Sequence, residues 1–362
     1  MASPSGRRKV RALPLFPTPS GDRFVMSDAT HRAEFDVLGI GNAIVDVIAV
    51  AEDDFLVREG LTKGSMTLID EARAVALYGR MGPAIETSGG SAANTVAGVG
   101  SLGARAAFIG KVKADLLGEV FRHDISALGV HFPTPGDEDG VATARCFILV
   151  TPDGERTMST YLGACQGLAQ KDVDEEVVRA SAVTYLEGYL WDPPAAKEAF
   201  RKAAAVAHGA GRQVALSLSD SFCVDRYRAE FLELVRSGAV DILFANESEL
   251  KSLYKTADVE TALAAVAGDA KLAVTTLGAR GSAILAGGER VEVPAAPIDG
   301  KLVDMTGAGD LFAAGFLYGL TRGLGLRRSA EIGSVAAAEV IAHVGARPQV
   351  SLKTLMAEKG LA

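Results

Sequence analysis

The sequence predicts an α/β protein with a mostly parallel central sheet and a smaller group of strands beside it. From residue 170 onward, predicted strands and helices alternate, and such alternation places helices on both faces of a parallel sheet. Residues 47–88 and 130–163 instead contain predicted strands with little helix between them, which indicates a small β lobe. The third observation is a turn of small residues that leads into an apolar helix, at residues 304–317.

Length and composition restrict the class of protein. The chain has 362 residues, 48% of them hydrophobic, which suffices for one large domain with an attached lobe. Its formal net charge of −8 argues against general nucleic-acid binding. No apolar run reaches the roughly 18 residues that a membrane-spanning helix needs. Three widely spaced cysteines without metal-ligand spacing indicate reduced thiols and a cytoplasmic protein.

The first 34 residues differ in composition from the rest of the chain. A basic cluster at residues 7–11 is followed by Pro14, Pro17 and Pro19. The segment lacks the apolar region of a secretory signal peptide. We therefore expect residues 1–34 to be a disordered N-terminal extension and the folded domain to span residues 35–362.

The first strands of the domain carry two candidate site residues. Residues 36–50 form a β-branched run that two glycines interrupt, which predicts a strand, a break and a second strand. Asn42 and Asp46 lie after the break. Asp46 needs a polar partner, because an unpaired buried carboxylate is costly. No helix follows the glycines, so the strand–turn–helix order of a dinucleotide-binding site is missing.

A second glycine pair, Gly89 and Gly90, precedes a predicted helix. Paired glycines allow close approach to the backbone, Ser91 can cap the helix, and Asn94 lies one turn further on. The glycines at residues 98–103 match the Gly-x-Gly-x-x-Gly sequence of a dinucleotide-binding site, but the predicted elements around them do not. The glycines end a helix and precede a strand, which is the reverse of the required order.

The alternating part of the chain follows a predicted hairpin around the Pro-Asp-Gly turn at residues 152–154. Ligands of parallel sheets bind at the carboxyl ends of the strands. The alanines at residues 336–338 are small enough to pack against Gly315 and Gly319. The predicted strands lie at residues 182–186, 213–218, 242–244 and 272–276, and the predicted helices at residues 194–207, 225–235, 247–254 and 330–343.

The turn Gly307-Ala308-Gly309 opens the apolar helix and is followed at once by Asp310. Small side chains leave the backbone accessible, and the unpaired N–H groups and positive dipole end of a helix suit an anion. A carboxylate beside that anion can take the proton from an attacking hydroxyl. The pattern favours phosphoryl transfer to an alcohol. The alternative is an ordinary turn with an acidic residue in the first helical turn.

This turn and the Gly89-Gly90 pair, with their spacing, resemble the ribokinase-like (PfkB) carbohydrate kinase family over residues 36–350. The resemblance implies a three-layer α/β/α sandwich with a β-sheet lid formed by about residues 47–88 and 130–163. It implies that Asp310 is the catalytic base and that the turn before it is the backbone anion hole. It also implies ATP as phosphate donor and Mg²⁺ as its metal ion.

The resemblance extends to the ATP side of the site. Asn246 and Glu249 match the Asn-x-x-Glu element of the family, which organises magnesium and its waters. From the residues alone, Asn246 is equally well explained as a helix cap. Thr276, Gly278 and Gly281 resemble the loop that runs along the nucleotide.

A monovalent cation is a further expectation from the family. Asp304 and Thr306, with Gly345 in a later loop, resemble positions whose carbonyls hold potassium near the anion hole. The family usually has a small residue where this chain has Met305. Backbone ligation remains compatible with that change, while activation by potassium is in doubt.

The acceptor side is similar to the adenosine kinase branch of the family. The similarity lies in residues 41–46 and 240–247. In that branch, the ribose is held by residues near the first of these segments and by the glycine pair with the helix after it, and a carboxylate can accept from both the 2′- and 3′-hydroxyls. The matching residues here are Asn42, Asp46, Gly89, Gly90, Ser91 and Asn94.

The base of a nucleoside needs an apolar, partly aromatic slot. The candidates for this slot are Tyr161, Tyr189, Leu190 and Trp191, and ordinary core packing is the alternative role of each. Glu187 could instead bind a sugar hydroxyl, as an acidic residue does in ribose kinases.

The favoured hypothesis is ATP-dependent phosphorylation of the 5′-hydroxyl of adenosine, which gives AMP and ADP. The first alternative is the same chemistry on ribose or a ketohexose. The second is a catalytically dead nucleoside-binding protein. We expect a cytoplasmic monomer or a homodimer paired through the lid, with no nucleic-acid or membrane partner.

Overall fold

The computed structural model describes residues 33–361. The predicted N-terminal extension, apart from residues 33 and 34, lies outside the described residues. The described strands are β1 (Phe35–Ile40), β2 (Ile44–Val50), β3 (Met66–Leu68), β4 (Ile85–Gly89), β5 (Ala106–Ile109), β6 (Val130–His131), β7 (Ala144–Val150), β8 (Arg156–Tyr161), β9 (Ser181–Glu187), β10 (Gln213–Ser217), β11 (Ile242–Asn246), β12 (Leu272–Thr276), β13 (Ser282–Ala286) and β14 (Glu289–Val293). The described α-helices are α1 (Asp53–Glu59), α2 (Glu71–Tyr78), α3 (Ser91–Ser101), α4 (Leu116–Ala127), α5 (Glu175–Ala180), α6 (Pro194–Gly209), α7 (Ser221–Arg236), α8 (Glu247–Tyr254), α9 (Val259–Asp269), α10 (Ala308–Thr321), α11 (Leu326–Val340) and α12 (Leu352–Glu358).

Nine of these strands form one large sheet in the order β14-β13-β12-β11-β10-β9-β1-β5-β6. Every neighbouring pair from β12 to β6 is parallel, and β13 and β14 join antiparallel at the other edge. The predicted mostly parallel sheet is therefore confirmed. The carboxyl ends of β1, β9, β11 and β12 lie along one edge, where ligands of such sheets bind.

The other five strands form a second sheet in the order β3-β8-β7-β2-β4. They come from residues 44–89 and 144–161. Residues 41–43 carry the chain from β1 in the large sheet to β2 in the small one, so one short segment joins the two sheets directly. The role of the small sheet as a lid stays a prediction.

Both faces of the large sheet are covered by apolar contacts. Successive residues of β1 point to opposite faces, so Val37 lies in one buried cluster with residues of α3, α10 and α11, and Leu38 lies in another with residues of α6 and α7. This alternation produces the three layers. None of the helices within residues 33–361 is long and apolar enough to cross a membrane.

The packing between α10 and α11 differs from the prediction. A methyl group on Gly315 would lie 2.6 Å from Gly333, and one on Gly319 would lie 2.7 Å from the backbone of Ser329. These residues, and not the alanines at 336–338, face the glycines of α10. Helix α11 also starts about one turn earlier than predicted, at Leu326.

Candidate active site

The N-terminus of α10 lies at the carboxyl edge of the large sheet, and Gly307 is its N-cap. This residue has a left-handed backbone (φ 79°), and a Cβ there would lie 2.7 Å from the backbone of Ala346. Only glycine meets both conditions without strain. A Cβ on Gly309 would meet no atom within 4 Å, so the space in front of this turn is open. The N–H of Ala308 makes a long hydrogen bond to the carbonyl oxygen of Met305, at 3.3 Å, and the next N–H groups of the helix, which have no intrahelical acceptors, are available to an anion there.

Asp310, in the first turn of α10, is held by two side chains of α3. Its Oδ1 accepts from Ser91 Oγ at 2.6 Å, and its Oδ2 accepts from Asn94 Nδ2 at 3.0 Å. Burial raises the pKa of Asp310 from 3.8 to about 6, while the bonds from Ser91 and Asn94 oppose that rise. The carboxylate is thus oriented and titrates close to neutral pH, as suits a general base.

Asp46, in β2, lies against the backbone at the end of β4. A Cβ on Gly89 would come within 2.4 Å of Asp46 Oδ2, so glycine at this position makes room for the carboxylate. Burial raises the pKa of Asp46 to about 7, and the positive charges of Arg347 and Arg156 lower it. Asp46 is also close enough to Asp310 for the repulsion between the two carboxylates to raise the pKa of Asp46 further.

Asn42 and Gly90 meet where the two sheets join. Asn42 Nδ2 donates to Glu187 Oε1 at 2.7 Å, and the N–H of Ala92 donates to Glu187 Oε2 at 2.8 Å. Gly90 has φ 96°, and a Cβ there would lie 2.2 Å from the carbonyl oxygen of Asn42. Both oxygens of Glu187 are occupied within the protein, and the residue is 1% exposed. This geometry weighs against Glu187 as a contact for sugar hydroxyls.

Arg156, in β8, reaches from the small sheet to the loop before α10. Its Nη2 lies 2.8 Å from Asp304 Oδ2, and its Nη1 donates to Thr306 Oγ1 at 3.3 Å. The N–H groups of Thr306 and Gly345 also donate to the Asp304 carboxylate, at 3.1 and 3.0 Å. The Asp304 carboxylate is therefore already ion-paired and hydrogen-bonded within the protein. The exposed side chain of Met305 takes no part in this arrangement.

Arg347, in the loop after α11, is the second cation at the site. Its Nε donates to Asn94 Oδ1 at 3.2 Å, and its Nη1 lies 4.0 Å from Asp124 Oδ2. Neither Arg156 nor Arg347 was found from the sequence. A basic residue among small residues beside Pro348 is a weak signal, and nothing local to it indicates the contact with Asn94.

The predicted nucleotide residues follow the ends of β11 and β12. Asn246 caps α8 and accepts from the N–H of Glu249 at 3.0 Å, while Glu249 Oε2 accepts from the N–H of Asn246 at 2.9 Å. The capping alternative is therefore realised in the structure. Thr276 pairs with Asn246 across the sheet. Gly278 and Gly281 have φ of 60° and 96° in the turn that follows.

Glu249 and Asn246 are oxygen ligands of the kind that Mg²⁺ prefers. Burial raises the pKa of Glu249 to about 7. Because its carboxylate is turned back onto Asn246, the pair suits an ion that keeps most of its waters and binds chiefly to phosphate oxygens. No cluster of three or more acidic, histidine or cysteine side chains suited to a metal occurs within residues 33–361.

Tyr189 and Trp191, two of the candidates for the base slot, lie in different places. Tyr189 is 39% exposed at the carboxyl end of β9. Trp191 is fully buried, with ring centroids 5.9 Å from Phe200 and 5.8 Å from Phe231, and its Nε1 donates to Glu230 at 2.9 Å. This packing contradicts the prediction that Trp191 stacks on a base. An apolar segment such as residues 188–191 does not show which ring faces the helices.

Comparison with known proteins agrees with this geometry. Residues 82–353 match the pfkB family carbohydrate kinase. The crystal structure of adenosine kinase from Sinorhizobium meliloti is 56% identical and covers 90% of this chain and 100% of its own, with a TM-score of 0.84. A probable sugar kinase from Rhizobium etli is 54% identical, covers 91% and 100%, and has a TM-score of 0.85. Adenosine kinase from Saccharomyces cerevisiae is 26% identical over 84% of this chain and 94% of its own.

The family match spans about three quarters of the chain and includes the turn before Asp310. The similar structures also share the large, mostly parallel sheet with helices on both faces, which confirms the predicted fold class. The chain belongs to the pfkB family of carbohydrate kinases.

Proposed function

We propose that this chain transfers the γ-phosphate of ATP to the 5′-hydroxyl of adenosine, giving AMP and ADP. Membership of the family makes the chain a phosphotransferase with an alcohol as acceptor. The observation that carries the proposal is the Asp310 carboxylate, which Ser91 and Asn94 hold beside the open N-terminus of α10. The similarity to adenosine kinases from two organisms supports the choice of acceptor.

Asp310 would take the proton from the attacking hydroxyl. Its pKa of about 6 leaves it mostly ionised at neutral pH and still basic enough to accept a proton. The N–H groups of Gly307, Ala308 and Gly309 would stabilise the charge on the transferred phosphate. Arg156 adds positive charge next to the same turn. Base and anion site are then adjacent, as an in-line transfer requires.

The acceptor would bind between the small sheet and the edge of the large one. Asp46 accepts from two neighbouring ribose hydroxyls in this proposal, and the glycine at position 89 keeps its carboxylate unobstructed. Asn42, Gly90, Ser91 and Asn94 complete the ribose side. A closed small sheet would exclude water and limit wasteful hydrolysis of ATP.

ATP would lie along β11 and β12. Asn246 and Glu249 would hold magnesium through water, and Thr276, Gly278 and Gly281 would form the wall of the nucleotide site. Mg²⁺, when bound, would neutralise part of the negative charge on the phosphates. The backbone carbonyls of Asp304 and Thr306, with Gly345, would hold a monovalent cation near the anion hole.

The assembly and the location of the protein are part of the proposal. Val50, Met66, Leu68 and Ile85 of the small sheet are more than half exposed, which supports pairing of two copies through this sheet as the alternative to a monomer. Light scattering of the purified protein separates the two states. The use of ATP and the three buried cysteines, none of which forms a disulfide within residues 33–361, support a cytoplasmic enzyme.

A sugar kinase is the second candidate, favoured by the 54% identity to a protein described as a probable sugar kinase. ADP formation measured with adenosine, inosine, guanosine, ribose and fructose distinguishes the candidates. Preference for adenosine supports the proposal, and preference for a free sugar replaces it with the second candidate. Binding of adenosine without ADP formation would indicate a catalytically dead binding protein instead.

A further inference from the structure

Arg347 lies where three carboxylates of the site converge, and the reaction proposed above assigns no role to its side chain. It follows α11 in a loop that is remote in sequence from the other site residues. The charges of Asp46, Asp124 and Asp310 all act on its guanidinium. Its Nη1 and Nη2 are buried and have no hydrogen-bond partner among residues 33–361. These two nitrogens make no hydrogen bond to the described residues, and the positive charge they carry acts on all three carboxylates.

The third nitrogen of Arg347 fixes the orientation of an amide. Nε donates to Asn94 Oδ1 at 3.2 Å, so Nδ2 of the same amide must point the other way. It points to Asp310 Oδ2, at 3.0 Å. A flipped amide would place the Nδ2 donor against the Nε donor of Arg347, and an oxygen against the carboxylate. Arg347 thereby selects the amide orientation in which Asn94 donates to Asp310.

The charge of Arg347 matters because the neighbours of Asp310 are mostly acidic. Arg347 lowers the pKa of both Asp310 and Asp46, against the burial that raises each of them. Arg156 faces Asp46 from β8. Other titratable groups that interact with Asp310 include Asp46 from β2, Tyr185 and Glu187 from β9, and Tyr189.

We propose that Arg347 is a positioning residue for phosphoryl transfer, which orients the Asn94 amide and keeps Asp310 in the carboxylate form that accepts the proton. This inference rests on the proposed function, in which Asp310 is the general base. It adds a component that the small-residue turn does not supply, since Arg347 belongs to a different segment of the chain.

The test compares Arg347→Met, which removes the charge, with Arg347→Lys, which keeps it. Turnover with saturating ATP and adenosine is measured from pH 5 to 9. In Arg347→Met the acid side of the profile should move to higher pH, and each unit of displacement adds about a tenfold loss at the acid end. Arg347→Lys should keep the acid side near its wild-type position, with a lower plateau because the bond to Asn94 is altered.

The matched control is Arg105→Met. Arg105 donates to the carbonyl oxygen of Ala33 at 2.8 Å, at the amino end of β5 and thus at the opposite edge of the sheet. Its pH profile should match that of the wild type. A profile of Arg347→Met that parallels the wild type, or a loss of equal size at every pH, would overturn the inference. If Arg347→Met does not fold, Arg347→Gln takes its place.

A readout that needs no activity separates this inference from the proposed function. Asp310→Asn should raise the melting temperature at pH 8 more in the Arg347→Met background than in the wild type, because Arg347 no longer offsets the buried charge. Equal gains in both backgrounds contradict the inference. A wild-type protein that phosphorylates no acceptor, with unequal gains, contradicts only the proposed function.

Discussion

Asp310→Asn should make the protein less active and more stable at the same time. Asparagine keeps the size of aspartate and one acceptor oxygen, which can still receive the bond from Asn94. The hydroxyl of Ser91 can rotate and accept from the new amide. The substitution therefore removes the charge and the basicity with little change in packing. Turnover should fall by about 10²–10⁴-fold, the usual effect of a lost general base, with adenosine and ATP still bound.

The gain in stability follows from the pKa of Asp310. A rise from 3.8 to about 6 on folding means that the ionised carboxylate destabilises the folded state by about 3 kcal/mol. The folded state holds its proton to higher pH than the unfolded state, so this penalty is absent below about pH 4 and complete above the folded pKa of about 6. Asp310→Asn should thus stabilise the protein at pH 8 and have no such effect at pH 4.

The assay pairs a coupled measurement of ADP release with thermal unfolding at both pH values. Glu289→Gln, at an exposed position in β14, is the control and should change neither quantity. Turnover near the wild-type value would refute Asp310 as the base. A change in stability of the same size at pH 4 and pH 8 would refute the electrostatic part of the reasoning.

The other predictions concern pH, two glycines and the tryptophan. Wild-type turnover should fall on the acid side with a pKa of about 6, and a profile flat down to pH 5 would contradict this. Gly89→Ala should raise the KM for adenosine about tenfold or more with that for ATP unchanged, because the new methyl group displaces the Asp46 carboxylate. Gly307→Ala should cost about 1–3 kcal/mol in denaturant unfolding, since alanine is strained at φ 79°. Trp191→Phe should lower stability by about 1–3 kcal/mol through a smaller ring and the loss of the hydrogen bond to Glu230, which keeps its ion pair with Lys197, yet leave the KM for adenosine unchanged.

Much of the fold was accessible from local sequence patterns. Strand–helix alternation depends on apolar spacing within short windows, and the hairpin depends on its Pro-Asp-Gly turn, so both were predicted with small errors at the ends. α7 begins at Ser221 because Asp220 accepts from the N–H of Cys223 at 2.6 Å. The helix α9, which no expectation included, follows a similar cap at Asp258. Caps of this kind are easily read as loop residues.

The residues of the candidate site that local patterns specify were predicted, and those that depend on distant contacts were not. The turn at Gly307 and the pair at Gly89 were found because backbone geometry restricts those positions to glycine. Arg156 and Arg347 were missed because their partners lie 150 and 253 residues away in the sequence. No local pattern records such a contact. The role of Trp191 was wrong for a related reason, since a short apolar segment does not show which cluster each ring joins.

The most direct test of the central claim is steady-state ADP formation with adenosine and with 5′-deoxyadenosine, which lacks only the proposed acceptor hydroxyl. We expect AMP as the product from adenosine, no ADP above the background of hydrolysis with 5′-deoxyadenosine, and loss of the adenosine reaction in Asp310→Asn. A kcat/KM for ribose or fructose above that for adenosine, or equal ADP formation with both nucleosides, would contradict that claim.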